Sequence, residues 1–243
     1  MFFNTSAAGS ATILNNNGSS LQFFDTSTAG NAAITNSTNA LIAFFNASSA
    51  GSATIANNGS GIEFQSTSTA GSATIVNNGG GLRFFNTSTA GNATITNNNG
   101  VTFFLNASTA GSATITNNGG TVAFFGQSDG GSAHLIGAGG TINFSTSTGP
   151  LDNNQLNVGS LAGSGTFIVG ARVNVSGSLA FTSGALYLVQ VHGSSASQIA
   201  VAGTATLAGT VEVDVVSRLT QKTTYTILTS SGLNNTTFGS VTL

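Results

Sequence analysis

What most limits how this chain can fold is a unit of about 20 residues that recurs through its first 150 residues. One copy, Phe84 to Gly100, reads FFNTSTAGNATITNNNG. A glycine, nearly always in an Ala-Gly pair, marks each copy at Gly9, Gly30, Gly51, Gly71, Gly91, Gly111 and Gly131, so the spacing is 21, 21 and then 20 throughout. Self-similarity at this period requires a stacked, quasi-one-dimensional architecture in which each copy buries its apolar face against the next.

Alignment of the copies with one another separates inner from outer positions. A phenylalanine recurs at Phe2, Phe23, Phe44, Phe64, Phe84, Phe104, Phe124 and Phe144. Two residues earlier the chain is mostly aliphatic (Leu21, Ile42, Ile62, Leu82, Val122, Ile142), and the residue between is free (Gln22, Ala43, Glu63, Arg83). Inward, outward, inward is the period-2 pattern of a strand with one buried face. A second strand follows, S-A-T-I-T, whose Ala and Ile columns (Ala73 with Ile75, Ala93 with Ile95) share parity and face in, while the Thr between them faces out. Between the strands lie T-S-T-A-G and N-N-G-G, where Gly and Asn tolerate positive φ and supply tight corners. Helical periodicity is absent. Propeller blades need about twice this repeat, and a hairpin array would separate like residues, whereas parallel coils stack each Phe on the next at about 4.8 Å. The expected fold is all-β, a single-stranded parallel β-helix (β-solenoid) of some twelve coils, about 55–60 Å long.

From about Gly149 the strict unit is lost but apolar alternation between Gly-Ser turns continues, and Pro150, the single proline, sits at the change. One continuous solenoid is therefore expected, with regular repeats over 1–148 and less regular coils over 149–243.

Only 4% of residues are charged, against about 25% in an ordinary soluble domain. Four Lys and Arg and a net charge of -2 provide no basic surface for nucleic acid or an anionic membrane. Cysteine is absent, which excludes disulfides and thiolate-bound metals. No apolar run is long enough for a membrane-spanning helix, and the start, MFFNTSAAGS, has no signal-peptide character. Phe2 and Phe3 are already in phase with the repeat, so the chain is expected to begin inside a coil.

Several stretches resemble the passenger domains of bacterial type V autotransporters, the pertactin-like β-helices. They are NTSTAGNATITNN at Asn86 to Asn98, then SLAGSGTFIVG (Ser160 to Gly170), ALYLVQV (Ala185 to Val191), SQIAVAGTATLAGTVEV (Ser197 to Val213) and YTILTSSG (Tyr225 to Gly232) followed by Phe238. The resemblance implies a right-handed β-helix that leaves a Gram-negative cell by the Sec route and is threaded through a C-terminal outer-membrane barrel. It also implies an extracellular or cell-surface location. The alternating lipid-facing strands of such a barrel are not in this sequence, so any membrane association would run through a translocator outside it.

Catalysis has little to draw on. Polysaccharide lyases and glycosidases on β-helices need clustered carboxylates, but the acids here are Asp25, Glu63, Asp129, Asp152, Glu212 and Asp214. Only Glu212 and Asp214 are near neighbours, and V-E-V-D-V reads as a solvated outward face. A Ser-His-Asp arrangement around His134, with Asp129 across a corner, is weak because serines abound. His192, Arg83, Arg172, Arg218 and Lys222 are scattered. No enzyme, cofactor or metal site is expected.

Two surface columns remain. The residue after the core Phe (Phe3, Phe24, Phe45, Gln65, Phe85, Leu105, Phe125, Ser145) points outward by parity. Phe3, Phe24, Phe45, Phe85 and Phe125 are thus a candidate contact stripe, the alternative being that the chain turns here and the ring covers a corner. The outward Thr-x-Thr face resembles an ice-binding array, but Leu14, Ala56, Val76 and Ile136 interrupt it. The leading expectation is a non-enzymatic surface scaffold for adhesion to a host, matrix or neighbouring-cell component. A fibre assembled by end-to-end self-association, through the open parallel edge of the first coil, is the alternative.

Overall fold

The computed structural model describes residues 1–218 and 223–243, and among them there are strands and no helix. Lys222 lies outside these residues. The chain is a parallel β-solenoid. A 10-stranded sheet begins Thr12–Asn15, Ala33–Asn36, Thr54–Asn57, and a 12-stranded sheet begins Ser20–Phe23, Leu41–Phe44, Gly61–Phe64. Successive copies pair in parallel and in register: Phe64 opposite Phe84, Ile75 opposite Ile95.

The phenylalanines that recur in the first strands of the 12-stranded sheet form the core ladder. From Phe23 to Phe124 neighbouring rings stack with centroids 4.6–4.9 Å apart, and every one of them is fully buried. Ile of the 10-stranded sheet and the Ala that precedes its repeat strands seal the opposite wall. A buried Phe contributes about 1.5–3 kcal/mol by area, and an aromatic pair adds about 0.5–1.5. The 10-stranded sheet carries a feature beyond the apolar pattern. Asn36, Asn57, Asn77, Asn97 and Asn117 follow Ile with inward parity and are fully buried. The Nδ2 of each of the first four donates to the Oδ1 of the next Asn at 2.7–2.9 Å. These asparagines are therefore core residues. The same amide reaches the carbonyl three residues on, as Asn77 does to Gly80 (3.0 Å), and so satisfies the backbone of the corner.

Two corner positions have a conformational requirement. Asn46, Asn86 and Asn106 adopt left-handed φ of 55–60° two residues after the core Phe, and Asp25 and Ser66 occupy the same place. At the Ala-Gly corner, Gly91 has φ +61° and its position leaves a Cβ only 2.7 Å from the carbonyl oxygen of Gly71 in the coil below. Stacking makes a side chain impossible there without displacement.

Both long sheets run past Gly149: His134–Gly137 pairs with Ser160–Gly163, and Thr141–Ser147 with Thr166–Val169. Beyond that point the third side of the coil widens. Over the regular repeats it consists of single bridges, Thr28 to Ser49 to Thr69 and onward to Asp129. It then becomes a true sheet of Gln155–Val158, Arg172–Val175, Gln198–Val201 and Leu228–Thr229. The aromatics change column here, because Phe167 pairs with Ile142 rather than Phe144, and Tyr187 follows Phe167. Partners are now 25 residues apart at Thr141 and Thr166, 24 at Leu186 and Thr210, and 30 at Thr210 and Ser240. These longer coils reduce the stack to about ten coils, fewer than the twelve expected. The 11 strands on the path of the larger sheet span about 48 Å at ~4.8 Å each.

Candidate functional site

The outward stripe beside the core ladder is aromatic. Phe3 is 48% exposed, and Phe24, Phe45, Phe85 and Phe125 are half-buried. Phe24 stacks on Phe3 at 5.0 Å and on Phe45 at 4.8 Å. Phe85 lies between Gln65 and Leu105 in the same column. Phe125 meets Phe103 edge-on at 5.3 Å and 77°. Each ring therefore points outward at the last position before the left-handed corner, and Phe24 alone has both faces covered by stacked rings. Phe103, which occupies the variable outward position of its strand, extends the stripe and was not signalled by the repeat.

The acids remain apart. Asp25 accepts the Asn4 backbone N–H (2.9 Å), Glu63 accepts from Gln65 (2.9 Å), and Glu212 and Asp214 are exposed on one strand. Asp129 accepts the backbone N–H of Asn157 (2.6 Å) and its side-chain amide (3.3 Å). His134 Nδ1 instead lies 2.8 Å from Ser160 Oγ. The structure thus pairs His134 with a serine and engages Asp129 with Asn157 instead of the imidazole. Among the described residues no three His, Asp or Glu side chains gather as a metal site. The Thr face presents Thr54, Thr74 and Thr94 to solvent, with Leu14 (61% exposed) at one end of it.

The third sheet holds the most developed polar surface. Gln155, Arg172 and Gln198 stand in one register column across three coils, with Asn157 and Asn174 in the next outward column. Arg172 Nε donates to Asn174 Oδ1 (2.8 Å) and Nη1 to Gln198 Oε1 (3.0 Å). Asn174 Nδ2 continues the network to Gln155 Oε1 (3.4 Å) and Asn157 Oδ1 (3.3 Å). Asn153 and Asn154 form one wall. The other is the hairpin of Leu186–His192 and Ser195–Ala196. Its turn is fixed by the Tyr225 hydroxyl, which donates to the Gly193 carbonyl. The resulting groove has a volume of about 480 Å³. No repeat points to it, because sheet and walls exist only where the 20-residue unit has ended. Its signal in the sequence was the recurrence of amide side chains before Leu156, Val158, Val175 and Ile199.

Below this region Tyr187 is buried, with its hydroxyl donating to the Ile227 carbonyl at 2.8 Å. Burial pushes its ionisation well above the ordinary phenol range. It is a core residue.

Comparison of the chain with protein-family models, with curated proteins and with solved structures finds no match.

Proposed function

We propose that this solenoid is a non-enzymatic scaffold of an exported cell-surface passenger, and that it adheres to a host, matrix or neighbouring-cell component. The observation that carries this reading is the half-buried aromatic stripe, in which Phe24 stacks between Phe3 and Phe45 and Phe125 packs on Phe103. Stacked rings lose little further freedom on binding, so they present apolar edges already ordered. The faces of Phe24, covered by Phe3 and Phe45, suit an apolar protein surface better than a sugar ring, which needs an open aromatic face. Dispersed, individually hydrogen-bonded carboxylates support the non-enzymatic part of the reading. The export route rests on the resemblance of the coils after Ser160 to the ends of autotransporter passengers.

The test is the double substitution Phe85→Ser and Phe125→Ser, with adhesion of protein-coated beads to cells and matrix as the readout. A several-fold loss of adhesion is expected, with an unchanged far-ultraviolet circular dichroism spectrum. Undiminished adhesion of the folded variant would refute the stripe. For export, the native reading frame should encode a signal peptide upstream and an outer-membrane barrel downstream.

A further inference from the structure

We propose that the groove on the third sheet binds an acidic oligosaccharide, with Arg172 pairing with its carboxylate or sulfate and the flanking amides with its hydroxyls. The inference is independent of the aromatic stripe, which lies on a different sheet.

The floor is ordered before any ligand arrives. Gln155, Arg172 and Gln198 are consecutive partners in a parallel sheet, so their Cα atoms span about 10 Å at ~4.8 Å per strand, long enough for a di- or trisaccharide. Planar amides and a guanidinium offer paired donors and acceptors of the kind that vicinal hydroxyls satisfy. Their mutual bonds hold them in the plane of the floor. The guanidinium carries five N–H donors, of which Asn174 and Gln198 take two.

Charge selects the ligand class. Arg172 lines the groove and no carboxylate does. The nearby Asp129 is already engaged by Asn157. An anionic group entering here meets a bidentate cation without a competing acid. A peptide is a poorer fit on two counts. Arg172–Val175 and Gln198–Val201 are interior strands paired on both sides, so no free sheet edge is available for strand addition. Among the described residues the lining also contains no Phe, Tyr, Trp, Leu, Ile or Val that would form an anchor pocket, its one ring being the His192 imidazole.

The experiment is isothermal titration of the full chain with trigalacturonate, with maltotriose as neutral comparator and a phosphotyrosine peptide as the competing anionic class. Saturable binding of trigalacturonate is expected, at least about tenfold tighter than maltotriose. It should weaken as salt is raised. Arg172→Gln should weaken it about tenfold, and Arg172→Lys should recover only part of the loss, because charge is kept and the fork is not. The Phe85→Ser, Phe125→Ser protein should bind as the parent does, which separates this site from the adhesive stripe. Equal affinity for maltotriose, indifference to Arg172→Gln, or no saturable heat with trigalacturonate would each overturn the proposal. Tighter binding of the phosphopeptide would reject the saccharide in favour of a peptide site. If Arg172→Gln fails to fold, Gln198→Ala decides the matter, since loss of one hydroxyl partner should still lower affinity several-fold.

Discussion

Asn77 and Asn78 are adjacent asparagines, each bonded to its counterparts in the coils on both sides, and their substitution by alanine should have very different consequences. Asn77 is fully buried. Its Nδ2 donates one proton to Asn97 Oδ1 (2.8 Å) and shares the other between Gly80 O (3.0 Å) and Val101 O (3.2 Å), and its Oδ1 accepts from Asn57 Nδ2 (2.7 Å). Asn77→Ala removes these contacts, which count as three bonds with the shared proton taken once, each with a net contribution of about 1 kcal/mol. It also leaves Asn97 Oδ1 buried without its donor, at a further ~1–3 kcal/mol. Asn57 keeps Ser60 O at 2.9 Å, so no second group is orphaned. The expected cost is about 4–6 kcal/mol. Asn78 is exposed. It donates to Asn58 at 3.0 Å and accepts from Asn98 at 2.6 Å. Water replaces both bonds when Asn78→Ala removes them, so the cost should stay within ~1 kcal/mol. Urea unfolding followed by circular dichroism measures the difference. Amide hydrogen exchange should add that protection falls around Asn57 to Asn117 in the first variant, since solenoid coils depend on their nearest neighbours. If the two variants fall within ~1 kcal/mol of each other, the buried ladder is not a stabilising element and the reasoning fails.

Backbone geometry supports a second comparison. Gly91→Ala meets both a left-handed φ and the Gly71 oxygen at 2.7 Å, whereas Gly59 has φ +81° and nothing nearer than Thr38 Oγ1 at 3.8 Å. Gly59→Ala should cost about 1–2 kcal/mol, and Gly91→Ala at least ~1 more, as read from urea midpoints. Tyr187 governs the alkaline limb of stability. Its phenol stays protonated in the fold after the unfolded chain begins to lose its proton near pH 10. The native state then binds more protons, so stability is retained below about pH 10 and falls as pH rises above it. Tyr187→Phe should lose about 1 kcal/mol at neutral pH with the bond to Ile227 and flatten the slope in alkaline unfolding curves. An unaltered slope would place the alkaline sensitivity elsewhere.

The core ladder was legible because Phe and Ile recur with strand parity, and parity alone decides which face is buried. The same rule also marks Asn77 as an inward residue, since Ala73, Ile75 and Asn77 alternate without a break. Asparagine's preference for turns obscured that signal. Burial of a primary amide is favourable only when identical neighbours above and below complete its bonds, which is a property of the stack and of no single copy. The third sheet was hidden for the opposite reason. Gln155–Val158, Arg172–Val175 and Gln198–Val201 pair across coils of unequal length, so no fixed period brings them into alignment.

In-register stacking also accounts for the near absence of charge. A column that repeats one residue type places like on like about 4.8 Å apart, and two like charges at that distance repel by about 0.9 kcal/mol in water and ~3.5 at an effective dielectric near 20. Asparagine and phenylalanine are self-complementary: an amide donates at one side and accepts at the other, and a ring offers two faces. A repeated Asp or Lys is not, and repulsion would accumulate along the rod. The acids and bases of the regular coils obey this rule. Asp25 sits between Asn4 and Asn46, where the Asn4 N–H completes it, and Glu63 lies in register with Arg83. Chemistry that needs a fixed charge must therefore be placed where the repeat has relaxed, and Arg172, between Gln155 and Gln198 on the third sheet, occupies such a place.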